Sequence, residues 1–561
     1  MGLTSRALKE LQTSIPTLDK NWVMTKKNDK SPVRTQAVAS KVFEGDSQEA
    51  IQQLFQSLEF QQEDGAVDYA DFWAMLSRMG IHQDDPRLQQ VVDDLENAKS
   101  QPPFDATQFQ SILQQSALLR KAFTGNLIIP DFEAFAEDIA TIFKKVQKNT
   151  SGKVATYIPQ LERVDPEQFA VSICTVDGQR FSMGDAEVPF CLQSTCKTIN
   201  YCIAHEELGE AKVHQHIGRE PSGRSFNELS LNQDGLPHNP LINAGAIMCC
   251  SLIRQEENMA DRFDSVIQTW ERLTAGRRPH FDNAVYLSER ETADRNFALS
   301  YFMREKKAFP PKTNIENTLE FYFQCCSLTL NTQDAAVAMA TLANSGVCPL
   351  NDDKVFSPKT VQDCLSLMFS CGMYDFSGEF AFKIGLPAKS GVSGAIMVVV
   401  PNLLGMCIWS PRLDKIGNSA RGIEFCDRLV KTYNFHNYDN ICEVTGKKDP
   451  RLKRYQSKSE SLVSLIWAAT HGDVEEINRL EATGVDLNLP DYDGRTALHL
   501  AAAEGQLEAV EYLLSQGVKP NPVDRWGGTP LDDAQRYNHA QIQEILKSQG
   551  GKARLNSAGR A

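Results

Sequence analysis

Phe190-Cys191-Leu192-Gln193-Ser194-Thr195-Cys196-Lys197 and, almost two hundred residues downstream, Lys389-Ser390-Gly391 are the stretches whose order decides the fold. Ser194 opens the apolar, helix-compatible run Thr195 to Leu208. Its backbone N–H is therefore expected at a helix N-terminus, where free donors and the dipole favour an oxyanion. Lys197 lies three residues on, on the same helix face and within reach of the Ser194 hydroxyl. A lysine desolvated in such a pocket can lose its proton near neutral pH and serve as the base that a serine nucleophile needs. An isolated Ser-x-x-Lys fits a capping serine and a surface lysine as well, so the downstream triplet carries the decision.

Together the two motifs resemble those of the penicillin-recognising serine hydrolases, which use S-x-x-K followed by K-[ST]-G. The sequence around them agrees. Phe169 to Thr175 turns through Val176-Asp177-Gly178 into Gln179 to Ser182, a hairpin, and Ala395 to Val400 followed by Leu403 to Trp409 makes a second one directly after Lys389-Ser390-Gly391. The residues between are mainly helical by pattern. A sheet drawn from both ends of a domain, with a helical insert between, is the layout of an α+β serine β-lactamase-like or penicillin-binding-protein-like catalytic domain. That domain is expected over 142–445.

At 561 residues, 42% of them apolar, the chain needs several cores. A net charge of −14 argues against a nucleic-acid partner, because such binding draws its affinity from neutralised phosphates. The 14 cysteines show no C-x-x-C spacing, so buried free thiols in a reducing compartment are expected, with no metal site. The longest apolar stretch, Ala395 to Trp409, is interrupted by Pro401-Asn402 and Gly405, so no membrane span is expected.

The last hundred residues repeat with an offset of 33, as in Thr496 and Thr529 or Gly484 and Gly517. This is the ankyrin period. Ankyrin repeats are expected over 462–550, with threonine caps and small alanines that let helix pairs stack, as a protein-contact module or a cap on the enzyme. A polar linker is expected over 446–461 and a disordered tail over 551–561. Residues 37–141 show helical spacing (Ile51, Leu54, Phe55, Leu58, then Phe72, Met75, Leu76, Met79), which predicts a small bundle. With Gly65 at the sixth position of a calcium loop, Phe60 stands first and Asp71 last, so the leading Asp and closing Glu are missing and the bundle reads as a degenerate EF-hand-like scaffold. The segment 1–36 reads as a flexible tail. It is basic and bears Ser and Thr, as mitochondrial presequences do, but Pro16, Glu10, Asp19 and Asp29 weaken an amphipathic helix.

Seven motifs in order, Tyr157-Ile158-Pro159-Gln160-Leu161, Phe190 to Lys197, His238 to Ala246, Ser288-Glu289-Arg290-Glu291, Asp294 to Ala298, Cys371 to Gly378 and Gly385 to Val392, together resemble the animal phosphate-activated glutaminases. The resemblance implies Ser194 as nucleophile, Lys197 as its activating partner, and Tyr374 and Tyr157 as phenols for proton transfer and ligand contact. Asn243, Glu289, Asn296 and Tyr322 would hold the amino-acid head group, and the Val392 amide would help bind the oxyanion. It further implies L-glutamine as substrate, no cofactor, inorganic phosphate as activator, a homotetramer and filaments, and a mitochondrial location, with cytoplasm as the alternative on this N-terminus. A loop of Gly223, Arg224, Ser225, Phe226, Asn227 and Glu228 would lie at a dimer-dimer contact and gate the site. Arg224, Ser225 and Phe302 depart from the family pattern there, which puts the response to allosteric inhibitors in doubt. Two other readings compete: a β-lactamase or peptidase on the same fold, against which a Glu289 aimed at a free α-ammonium argues, and a non-catalytic scaffold, against which intact Ser194, Lys197 and Tyr374 argue.

Overall fold

The computed structural model describes residues 69–98, 106–123, 125–223, 228–439, 446–452, 456–482 and 485–554. The 1–36 tail, the helix around Ile51 to Leu58 and the Phe60 to Asp68 part of the calcium-type loop lie outside the described residues.

Helix α1 (Tyr69–Arg78) buries Phe72 and Leu76. They share a small core with Phe109, Leu119 and Phe123 from the next helices, where Phe72 stacks on Phe123 with centroids 6.1 Å apart. This bundle is tied to the catalytic part by bonds aimed at backbone: Arg180 N–H donates to Gly80 O at 2.7 Å, Gln179 Nε2 donates to Met79 O at 3.0 Å, and Arg87 donates to Asp177 O at 3.0 Å. Helix α2 (Phe132–Val146) departs from the reading that ends the bundle at residue 141. Its apolar stripe, Phe135, Ile139, Ile142, Phe143 and Val146, packs into the core of the catalytic sheet. The four shorter helices described before it close on one another, so the stripe packs instead on the sheet and on Phe425, Leu429 and Tyr433.

The strands are β1 (Ala170–Thr175), β2 (Arg180–Gly184), β3 (Phe190–Cys191), β4 (His280–Phe281), β5 (Leu328–Leu330), β6 (Ala388–Ser390), β7 (Ala395–Val400) and β8 (Leu404–Trp409). Five form one antiparallel sheet in the order β2-β1-β8-β7-β6, with Ala170 opposite Trp409. Strands from the two ends of the domain thus lie side by side. Every residue of β1, β7 and β8 is buried, because both faces are covered. Alternate residues obey the period of two: Val171, Ile173, Ile396, Val398, Met406 and Ile408 face α2 and α10 (Ala420–Thr432), whereas Ala170, Cys174, Met397, Val399 and Cys407 face the other core with α8 (Thr332–Ala343). The α8 contact is close. A Cβ on Gly405 would fall 2.0 Å from the Ala340 nitrogen, so only glycine fits there. The second sheet, β3-β5-β4, has strands of two or three residues and was not predicted from the sequence.

The insert between the hairpins contains α3 (Cys196–Leu208), α4 (Asn243–Leu252), α5 (Asn283–Glu291), α6 (Asp294–Glu305), α7 (Ile315–Cys326), α8 and α9 (Pro358–Cys371). From Cys196 to His205 every residue of α3 is buried, so it is a core helix and not an amphipathic one. Its far end is pinned to α9 by His205 Nε2 with Asp363 at 2.9 Å and by Glu206, which accepts from Ser357 N–H at 3.0 Å. The 13 described cysteines are all free and buried.

In the repeat region, α12 (Ala497–Ala503) and α13 (Pro530–Arg536) begin at Thr496 and Thr529, each closed by a reciprocal capping box. Two boundaries differ from the sequence reading. Helix α11 (Gln456–His471) starts inside the stretch read as linker. Residues 551–554, read as tail, lie on the last repeat: Lys552 O accepts from Thr529 Oγ1 at 2.9 Å and Arg554 N–H donates to Asp532 at 3.0 Å. The repeat core, from Leu465 to Leu546, shares no residue with the cores around the sheet. Truncating the chain after Leu452 is therefore expected to leave the specific activity of the purified core within about threefold of the full chain, a surface-level effect on stability. Ammonia release per mole of folded protein measures it, and a collapse in turnover would make the repeats part of the catalytic unit.

Candidate active site

Strand β3 is followed by Leu192, whose N–H donates to Leu328 O of the neighbouring β5 at 2.8 Å. The chain then turns sharply: Gln193 takes φ 50°, Thr195 N–H and Oγ1 both return to Leu192 O, and a single 3-10 turn (Gln193–Thr195) leads into α3. A left-handed glutamine costs about 1–2 kcal/mol and persists only where its surroundings fix it. The turn places Ser194 just before α3, beside Tyr374.

Tyr374 is the second left-handed residue of the site, at φ 53°. Burial pushes the phenol's pKa up, and the neighbouring Ser194 hydroxyl and Val392 N–H draw it partly back. The backbone around it is anchored at each step: Met373 N–H donates to Ser377 Oγ at 3.0 Å, Ser377 Oγ donates to Tyr374 O at 2.8 Å, and Asn418 Nδ2 donates to Met373 O at 3.3 Å.

Lys197 is 1% exposed, and burial pushes its ammonium below the usual lysine range. Its Nζ donates to Asn243 Oδ1 at 2.6 Å; Asn243 Nδ2 donates in turn to Asn296 Oδ1 at 3.3 Å, and the Tyr322 hydroxyl reaches Asn243 Oδ1 at 3.4 Å. Asn243 opens α4, Asn296 lies in the first turn of α6 and Tyr322 is buried in α7, so three helices converge on one polar cluster. Opposite it, the Tyr157 hydroxyl donates to Glu289 Oε1 at 2.5 Å and lies 2.6 Å from Gln193 Oε1. The Tyr157 ring is 45% exposed along one edge, but its hydroxyl is packed against Glu289, and desolvation with that carboxylate holds the phenol's pKa well up. Burial raises the Glu289 carboxyl in turn, offset in part by Tyr157, Gln193 and Lys197.

The nine residues fall into three neighbouring groups, Ser194 with Tyr374 and Val392, Lys197 with Asn243, Asn296 and Tyr322, and Tyr157 with Glu289, linked by Gln193 next to Ser194 and by the charge interaction of Glu289 with Lys197. Two neighbours were quoted in the motifs but given no role. Gln193 touches both Tyr157 and Glu289, and its place beside the nucleophile was the available signal. Lys389 is fully buried under the Tyr374 ring, its Nζ 4.7 Å from the centroid. Of the proposed gating loop, Gly223 and Glu228 are described, whereas Arg224, Ser225, Phe226 and Asn227 lie outside the described residues. Phe302 sits on α6 with Lys306 Nζ 5.7 Å from its ring centroid. A cleft of about 540 Å³ lined by Leu161, Val164, Phe190, Val285, Ser393 and Trp409 contains none of the nine proposed site residues.

The family described as Glutaminase matches residues 152–438, a span that includes all nine of these residues. The chain belongs to the glutaminase family. Its glutaminase domain has the serine β-lactamase-like α+β architecture, and it is followed by a match to ankyrin repeats in three copies over 465–557 and preceded by a match to an EF-hand domain over 50–130. The rat "Glutaminase liver isoform, mitochondrial" is 46% identical over 434 residues, covering 76% of this chain and 72% of that protein. A glutaminase from Nostoc sp. is 41% identical over 302 residues, which is 54% of this chain but 89% of the Nostoc protein. Among solved structures, a chain titled "Probable glutaminase ybaS" is 34% identical with a TM-score of 0.50, covering 52% of this chain and 94% of its own.

Proposed function

We propose that this glutaminase-family enzyme hydrolyses L-glutamine to L-glutamate and ammonia through a glutamyl ester on Ser194. The observation that carries the reading is the convergence of Ser194, Tyr374 and Val392, close enough for the serine hydroxyl and the Val392 N–H to favour charge on the phenol oxygen, with a desolvated lysine three residues after the serine. A zwitterionic amino acid needs an acceptor for its ammonium and donors for its carboxylate; Glu289 supplies the first, and the amides and phenols of Asn243, Asn296 and Tyr322 supply the second.

The perturbed groups divide the work. Lys197, whose burial favours the neutral amine, takes the Ser194 proton as the serine oxygen bonds to the γ-carbonyl carbon. The carbonyl oxygen, now carrying the charge, is held by the Ser194 and Val392 amides. Tyr374, kept protonated by burial, gives its proton to the departing nitrogen and is reprotonated from Lys197 as the C–N bond breaks. Water then attacks the ester by the reverse sequence, releasing glutamate and restoring Ser194.

Regulation and location rest on the family alone: inorganic phosphate as activator, a homotetramer extending to filaments, the Gly223 to Glu228 loop as the gate between them, and the mitochondrion, the last supported by the name of the rat relative. The repeats would bind a protein, and the short Nostoc relative supports their dispensability for the reaction. Ammonia release from glutamine and asparagine, with and without phosphate, tests the proposal; no release from glutamine at any phosphate concentration would sink it.

Glu289→Gln is expected to weaken glutamine use more than the fold. Removing the charge opposite an ammonium in a buried site costs about 2–5 kcal/mol, which corresponds to a loss of roughly 30-fold to several-thousand-fold in kcat/KM. Kinetics alongside a thermal melt measure it. An unchanged KM at an unchanged Tm would remove Glu289 as the ammonium ligand.

A further inference from the structure

The site holds a second buried lysine that the reaction as written does not use. Lys389 is 0% exposed, and among the described residues no carboxylate pairs with it. Its Nζ donates instead to two carbonyl oxygens, Ser390 O at 2.6 Å and Gly372 O at 3.1 Å, with the Tyr374 ring 4.7 Å away. Burial and the neighbouring Lys197 push its ammonium well below the ordinary lysine range. A buried, unpaired amine is costly, so its retention needs a reason.

The two carbonyls belong to the two segments that must meet for the chemistry. Gly372 lies two residues before Tyr374, and Ser390 lies two residues before Val392. Gly372 O also accepts from Ser390 N–H at 3.1 Å, and a Cβ on Gly372 would fall 1.7 Å from Ala388 O, so the segments already touch at this point. Nothing covalent fixes the strained Tyr374 turn against β6, and the lysine spans both.

We infer that Lys389 is a positioning residue: by tying the Gly372 and Ser390 carbonyls together beneath the Tyr374 ring, it sets the Tyr374 hydroxyl between Ser194 and the Val392 amide. This rests on the roles given to Ser194 and Tyr374 under the proposed function. It requires no contact between Lys389 and substrate, so it acts on turnover and not on binding.

Lys389→Met keeps the length and removes the donors. In the full-length protein it is expected to lower kcat about 100-fold, the scale of a 1 Å misplacement, with KM for glutamine unchanged. The deciding measurement is a double-mutant cycle with Tyr374→Phe, in which Lys389→Met adds no further loss once the hydroxyl it positions is gone. Lys389→Gln, which keeps a donor, should recover part of the rate. An unchanged kcat, an equal loss in both backgrounds, a rise in KM alone, or failure of both variants to fold would each overturn the inference. A wild type inactive on glutamine, or a Tyr374→Phe protein as active as the wild type, would instead overturn the underlying reading and leave that outcome distinguishable from the first.

Discussion

Ser194→Ala is expected to lower kcat for glutamine on the order of 10⁴-fold or more, since the nucleophile of a serine dyad cannot be replaced by its neighbours. Binding should survive, because the head-group contacts run through Glu289, Asn243, Asn296 and Tyr322 and do not require the serine oxygen. An electrophilic glutamine analogue should add one label per chain, at Ser194 in the wild type and nowhere in the variant. Cys191 and Cys196 flank the nucleophile and are the natural competitors for such a label. Both are buried, which limits access, and in Cys191 burial also raises the thiol pKa and so disfavours the nucleophilic thiolate. A label on either cysteine would overturn the ester.

The second large effect has two parts of opposite sign. Lys197→Met should cost about 10³-fold or more in kcat, as loss of the base does, yet leave the fold as stable as the wild type or more stable by up to about 2 kcal/mol. The physical reason lies in the lysine's surroundings: it is 1% exposed, and it donates to a neutral amide oxygen, Asn243 Oδ1. The pH dependence follows from the direction of its shift. With its folded pKa below the unfolded value of about 10.4, the unfolded chain binds more protons between the two, so stability rises with pH across that window. The penalty is present in full below the folded pKa and vanishes above the unfolded one. Denaturant melts of wild type and variant should therefore converge as pH approaches 10. A variant destabilised by more than about 1 kcal/mol would show the lysine to be structural.

What the sequence disclosed was what is local. Ser194 and Lys197 share a helix face, the hairpins alternate with period two, and Thr496 and Thr529 mark the repeat. Asn243, Asn296 and Tyr322 carried no such signal, since an asparagine alone fits a turn and a tyrosine alone fits a core; they came from the family resemblance. What stayed hidden was non-local. The stripe on α2 showed that one face is buried but not whether the bundle or the sheet covers it. Strands β3, β4 and β5 are too short for an alternation to show. Gln193 and Lys389 acquire roles only through partners distant in sequence, Glu289 for one and Gly372 for the other. The start of α11 was missed because Gln456 to Ser461 is polar throughout, and helical spacing is read from apolar residues.

The pairing of Ala170 with Trp409 also has a consequence for biosynthesis. Strand β1 leaves the ribosome early, with six residues that the finished protein buries completely, and its inner neighbour β8 follows only after the whole helical insert. At about 5–20 residues per second, the delay is on the order of ten seconds or more. During that interval the β1–β2 hairpin has two partners already made: α2, which covers Val171 and Ile173, and the N-terminal bundle, which grips Gln179 and Arg180 at the hairpin turn through their backbone and side chains. Those partners hold one face and the turn of the hairpin, so the edge of β1 that β8 will fill stays open until the whole insert has been made.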